Sequence, residues 1–271
     1  MEEYSKLGIS NDFMFGKILE NPAICKPFLE VILNIRIHHI EILERQKNVD
    51  EKIDIHSIRM DIYVDDGETI YNCEMQASRK QNEAYRSRYY QGQIDMNLLK
   101  KSENYHLLKK CFVIFICTFD PFEGNRYIYT FENRCDEDPS IALNDGALKV
   151  FINTKGTVGD VSEEFKELMH FLDTSEIKDY NTELINEMAD ALQDARTNEK
   201  WRHDYMSIEM LKFDCREEGR AEGRAEGRAE GRKEEKIENA LAMLKEKLSE
   251  ALVAKCTGLS PEEVQALAAT L

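Results

Sequence analysis

The chain has 271 residues, 42% of them hydrophobic, with 36 basic against 52 acidic side chains and a net charge of −16. That length and apolar content support one substantial α/β domain with an appendage, or two small domains, and exclude wholesale disorder. The acidic balance argues against tight, indiscriminate binding of polyanions and leaves nucleic-acid contact to a local basic face acting within a Debye length of roughly 8 Å.

Along the chain, Asn11 or Asp12 caps a short predicted helix carrying Phe13, Phe15, Ile18 and Leu19. Pro22 opens a second helix through about Leu33, with Phe28, Leu29, Ile32 and Leu33 apolar. Residues 37–45 alternate loosely and read as a strand. Two β-rich runs then flank Asp65-Asp66-Gly67-Glu68, and Asp-Gly between such runs signals a hairpin. A helix is expected from about Asn82 to Lys101, then a fully buried central strand in the continuous apolar run at 111–119. Strands at 127–131 and 148–152 follow, then helices at about 161–172, 181–196 and 200–215. Residues 217–232 repeat Glu-Gly-Arg-Ala, where Gly costs about 1 kcal/mol per position in a helix and Glu–Arg pairs offset part of it; a marginal helix or a flexible, charge-neutral linker is expected. In the last segment, Ala254, Gly258 and Val264 stand at helix-turn-helix spacing, with Ser260 and Pro261 as cap and first helical position. Both a DNA-binding module and a dimerising helical hairpin fit that pattern; the segment after Ser260 has two glutamates and no Lys or Arg.

The seven cysteines are odd in number and form no C-x-x-C pair, so neither a disulfide framework nor a metal finger is expected, and the setting reads as a reducing cytoplasm. The acidic, polar start is unlike a secretory signal, and no run approaches the roughly 18 apolar residues of a membrane span. The six histidines are scattered, and His38-His39 read as strand-flanking residues rather than zinc ligands. Trp201 reads as a packing anchor.

The chemistry concentrates in the hairpin. Side chains alternate along a strand, so Asp61 and Tyr63 share one face of the first arm, while Asn72, Glu74 and Gln76 share one face of the second. Cys73 and Met75 point the other way, which argues against a cysteine nucleophile. Folding back around Gly67 brings Asp61 and Glu74 to nearby rungs, roughly 5–8 Å apart. One divalent ion bridges carboxylates at that separation. Gln76 can orient a water or contact phosphate, but it is neither a cation nor a base. A polar sheet face accounts for the same carboxylates on spacing alone; two observations favour a site. The pair sits inside an otherwise apolar region, and the following helix supplies Arg86, Arg88, Tyr89 and Tyr90 to meet phosphate and stack on a base.

The ordered strings R-M-D-I-Y-V, I-Y-N-C-E-M-Q and Y-R-S-R-Y-Y resemble the Rpn recombination-promoting nucleases, also described as PD-(D/E)xK nuclease family transposases. N-D-F-M-F-G-K, C-F-V-I-F-I, W-R-H-D-Y-M at 201–206 and the E-G-R-A repeats fit as well, so the resemblance covers nearly the whole chain. It implies that Asp61 and Glu74 are metal ligands, that Met75 offers a backbone carbonyl, and that Gln76 replaces the lysine of the wider superfamily. Arg59 and Lys80 are the candidates to restore that positive charge. Asp12 matches an N-terminal family position beside the site, although a plain helix cap explains it too.

The expectation is therefore an α/β, PD-(D/E)xK restriction-endonuclease-like mixed sheet flanked by helices, with a helical C-terminal extension. Residues 1–160 form the nuclease core, 161–216 a helical region packing on it, 217–236 the repeat linker and 237–271 a helix-turn-helix-like tail. The expected function is Mg²⁺-dependent DNA endonuclease, with Mn²⁺ fitting the same oxygen ligands, linked by resemblance to recombination or mobile DNA. The expected partners are DNA and a second copy bound through the C-terminal helices, with no membrane. The alternative is a catalytically weak DNA-binding or oligomeric assembly protein, such as a phage-defence component.

Overall fold

The computed structural model describes residues 3–49, 58–79, 82–99 and 102–271, and of 45–49 and 58–59 the backbone alone. By compactness the chain divides into two units, Met1–His203 and Asp204–Leu271.

The first unit opens with α1 (Asp12–Leu19) and α2 (Pro22–Leu33). Asn11 caps α1, its side chain accepting from the N–H groups of Phe13 and Met14, and Pro22 stands at the start of α2 as expected. Six strands follow: β1 (Ile42–Val49), β2 (Ile58–Asp65), β3 (Thr69–Gln76), β4 (Lys110–Cys117), β5 (Ile128–Phe131) and β6 (Ala147–Asn153). They form one mixed sheet in the order β1-β2-β3-β4-β6-β5. β2 runs antiparallel to both β1 and β3; β3, β4 and β6 are mutually parallel; and β5 closes the far edge antiparallel to β6.

The first strand begins later than its alternation suggests. Its bounds are set by pairing with β2, from Ile42↔Asp65 to Val49↔Ile58. Upstream, Ile37 is buried and its N–H donates to Glu30 Oε1 at 2.8 Å, which ties that stretch to α2 instead of to the sheet. The β2–β3 turn carries the expected Asp-Gly signature. Gly67 has φ +96°, a conformation that costs glycine little. Asp65 Oδ1 accepts from the Gly67 N–H, and Asp66 Oδ1 accepts from those of Glu68 and Thr69. Lys109 Nζ lies 2.7 Å from Asp65 Oδ1, so an ion pair anchors the turn beside the start of β4.

β4 is the central strand that its uninterrupted apolar run predicts. Every residue from Cys111 to Cys117 is buried, because both faces are covered. α3 (Glu83–Leu98) connects β3 to the parallel β4 and packs on β4 and β1. Phe115 stacks on Tyr90 from α3 and on Phe151 from β6, with ring centroids 6.1 and 5.3 Å apart. α1 packs on β2 and β3, α4 (Glu163–Thr174) packs on α2, and α5 (Glu183–Thr197) packs on α1, α2 and α4.

The next helix, α6, runs from Glu199 to Lys245 and includes the whole repeat. Of the two conformations expected for the repeat, it takes the helical one. Pairs such as Arg220–Glu217, at 2.9 Å and i,i+3 spacing, offset part of the glycine cost, and helical sequence on both sides propagates through it. A Cβ added at Gly223 or Gly227 meets no atom within 4 Å. Gly223→Ala and Gly227→Ala are therefore expected to stabilise this helix by about 1 kcal/mol each, read as a higher melting temperature in the 222 nm ellipticity. Lower helicity in the alanine variants would show that the glycines serve a close approach instead.

The terminal helices α7 (Glu250–Thr257) and α8 (Pro261–Ala268) close around Ala240, Val253, Leu259 and Val264. Gly258, at φ +67°, ends α7, and Ser260 forms a capping box with Glu263 at the start of α8. The three positions that carry the helix-turn-helix spacing thus lie in a helix, its turn and the next helix. Among the described residues no helix is long and apolar enough to cross a membrane.

Candidate active site

The hairpin register places Ile62 opposite Cys73, and the next rung departs from ordinary pairing. There the Asp61 N–H donates to Glu74 Oε1 at 3.1 Å, and the Met75 N–H donates to Asp61 Oδ2 at 3.0 Å. Each carboxylate is thus oriented by the main chain of the opposite strand. A polar sheet face exposed to water does not produce this arrangement, because Glu74 is only 2% exposed. Asn72, on the same face, is fully buried and near enough to favour the Glu74 carboxylate, yet it lies outside ordinary hydrogen-bond geometry.

Burial first, and the neighbouring Asp61 second, push the Glu74 pKa well above the usual carboxylate range; the Asp61 N–H and Arg86 oppose the shift. The sign for stability follows. Between the unfolded value of about 4.5 and the raised folded value, the folded chain holds the proton more tightly. Stability therefore falls as pH rises through that window. Without divalent metal, Glu74→Gln should gain stability relative to wild type as pH climbs from 5 to 8. Denaturant midpoints at several pH values test this, and parallel curves for the two proteins would contradict it.

Arg86, from the first turns of α3, completes the cluster. Its Nη1 donates to Gln76 Oε1 at 2.6 Å, its Nη2 donates to the Tyr90 hydroxyl at 2.9 Å, and Nη2 lies 3.7 Å from Glu74 Oε2. The guanidinium carbon sits 5.3 Å from the Phe115 ring centroid, so aromatic packing braces the cation. Gln76 is held at both ends, because its Nε2 donates to the Met75 carbonyl at 2.9 Å. It stands as a spacer that fixes Arg86.

A pocket of about 280 Å³ opens onto this cluster, lined by Ser10, Asn11, Asp12, Asp61, Met75, Gln76, Ala77, Ser78 and Arg86. Asp12 therefore shares the pocket with Asp61. Residues 10–222 match the family model described as PD-(D/E)XK nuclease family transposase. The chain belongs to this family. Residues 233–269 match the model of the Rpn/YhgA-like nuclease family C-terminal HTH domain, which spans α7, α8 and the end of α6. No curated protein and no solved structure matches the chain.

PD-(D/E)XK nucleases typically use divalent metal ions, and the residues present fit one. The donors are oxygens alone, which suits a hard cation such as Mg²⁺ or Mn²⁺. Among the described residues no cluster of three or more His, Cys, Asp or Glu side chains is close enough to hold a metal. Asp61 and Glu74, with the Met75 carbonyl beside them, are the groups that would hold such an ion, and water would complete the shell that Mg²⁺ prefers.

The other sequence candidates fall in three places. Arg88 and Tyr89 lie on an outer face of α3 that lines a neighbouring groove. Tyr90 does not share it: the residue is buried, its ring packs on Phe115 and its hydroxyl meets Arg86, so its ring face is not open to a base. Lys80 and the Arg59 side chain lie outside the described residues. Sequence reasoning assigned Arg86 to phosphate contact alone and missed its bond to Gln76. One signal was available: Arg86 stands one helical turn before Tyr90, whose neighbours Ser87, Gln91 and Ile94 are also buried.

Proposed function

We propose that this chain is a divalent-metal-dependent DNA endonuclease that hydrolyses phosphodiester bonds at the pocket between α1, the hairpin and α3. One observation carries the reading: two carboxylates on adjacent strands, each oriented by the other strand's N–H, with a braced arginine beside them.

A divalent ion at Asp61, Glu74 and the Met75 carbonyl supplies Lewis-acid charge for phosphoryl transfer to water. Asp61 and Glu74 hold that ion, whose charge offsets their mutual repulsion. Arg86 binds a non-bridging phosphate oxygen and stabilises the negative charge that develops there, the task lysine performs in the wider superfamily. Gln76 is a positioning residue that fixes the Arg86 fork. Asp12 lines the same pocket, where it can hydrogen-bond water beside the ion. Arg88 and Tyr89 extend the DNA contact along α3. Hydrolysis is the whole of the proposed chemistry; the transposase in the family's description supports a role in recombination or mobile DNA. The unpaired cysteines support a reducing, cytoplasmic setting.

A specific observation favours a second reading. α8 presents Glu262 and Glu263 in its first turn and contains no Lys or Arg, so that helix meets phosphate unfavourably. The C-terminal unit then serves to assemble copies of the chain, and in a catalytically weak protein assembly is the main activity. Incubating supercoiled plasmid with purified protein and Mg²⁺ or Mn²⁺ separates the two. The nuclease reading expects nicked and linear products that disappear with EDTA. Intact plasmid in both metals would shift the assignment to assembly.

A further inference from the structure

The outer face of α3 carries a groove of about 660 Å³ beyond the hydrolytic centre. Its lining includes Tyr85, Arg88, Tyr89, Gly92 and Met96. These positions recur at helical spacing along one side of α3, away from the buried Ser87, Tyr90, Gln91 and Ile94. Tyr85 and Met96 are 69% and 65% exposed, so this side of α3 leaves apolar surface open to solvent. The Arg88 guanidinium lies 5.9 Å from the Tyr85 ring centroid. None of the described residues lining the groove is acidic, although the chain as a whole carries −16.

Arg86 decides what this groove is for, because it lines both the groove and the candidate catalytic pocket. A strand whose phosphate meets Arg86 at the pocket runs directly into a trough with aromatic rings and a second arginine. Tyrosine rings offer a face for a base, and Arg88 offers a fork for the next phosphate. In an intact duplex the base faces are already stacked on one another, so a ring platform finds no partner there. We infer that the groove binds an unpaired nucleotide flanking the scissile phosphate, which makes single-stranded DNA, or duplex with an unstacked segment, the substrate class of this site. The inference rests on the nuclease reading for the path of the strand; the groove itself rests on its own geometry.

Gly92 supplies a clean test. A Cβ there meets no atom within 4 Å, so Gly92→Leu projects a side chain into the groove while replacing a poor helix former with a good one. The full-length protein, Tyr85→Ala, Tyr89→Ala and Gly92→Leu are titrated in EDTA against a short fluorescein-labelled oligothymidylate and a blunt duplex, with anisotropy as the readout. Thermal melts confirm folding. Each variant should bind the oligothymidylate about tenfold more weakly, with duplex affinity changed by less than about twofold. Unchanged oligothymidylate affinity in all three variants would overturn the groove, as would equal losses for both DNA forms. Plasmid cleavage run in parallel keeps the two ideas apart. Wild-type cleavage with unaffected oligothymidylate binding sinks the groove and leaves the nuclease standing. Absent cleavage with the expected binding losses does the reverse.

Discussion

Replacing Asp61 or Glu74 by alanine is expected to reduce metal-dependent DNA cleavage by at least about a thousandfold. The size follows from the chemistry: a bound cation stabilises transition-state charge by several kcal/mol, and each 1.36 kcal/mol is about tenfold in rate. Glu74→Gln is the sharper variant. It preserves volume and keeps an oxygen to accept the Asp61 N–H, which Glu74 Oε1 now does at 3.1 Å. It also removes a negative charge that burial and Asp61 both disfavour, so loss of cleavage should come without loss of folding. Plasmid cleavage rates and melting temperatures, measured on the same preparations, check both halves. A Glu74→Gln protein that cleaves at the wild-type rate would remove Glu74 from the site.

The second large effect concerns the missing lysine. Arg86→Ala should lower cleavage by about a hundredfold, the usual loss when one transition-state donor is removed. Gln76→Lys alone should not raise activity, although it restores the superfamily residue. The new ammonium would fall where Gln76 Oε1 now accepts from Arg86 Nη1 at 2.6 Å, and two cations at that separation repel. In the Arg86→Ala background the same lysine has room, and Gln76→Lys/Arg86→Ala should recover at least about tenfold over Arg86→Ala. Single-turnover rates of the four proteins form a double-mutant cycle, and the account requires strong coupling. Additive effects would mean that Arg86 and Gln76 act separately.

The parts of the fold set by local rules were legible. Asp-Gly at the hairpin turn, proline at the start of α2 and the unbroken apolar run of β4 each reflect a constraint acting within a few residues. The start of β1 was not legible, because alternation upstream of Ile42 mimics a strand and only pairing with β2 sets its bounds. The repeat left helix and linker open, since its glycine cost and its charge pairs act in opposite directions. At the site, strand parity put Asp61, Glu74 and Gln76 on one face. The role of Arg86 arises from α3 packing over Phe115, a tertiary contact that no spacing within the hairpin encodes. Tyr90 shows the converse: a Tyr-Tyr pair in the sequence suggests two stacking rings, and burial of one face of α3 leaves only Tyr89 on the groove.

The central claim is that Asp61 and Glu74 together hold a divalent cation. Calorimetric titration of Mn²⁺ into wild type, Asp61→Ala and Glu74→Ala tests it without reference to any DNA. The account predicts a saturable site in the wild-type protein that both substitutions remove. Equal Mn²⁺ binding by all three proteins, or none by folded wild type, would contradict it.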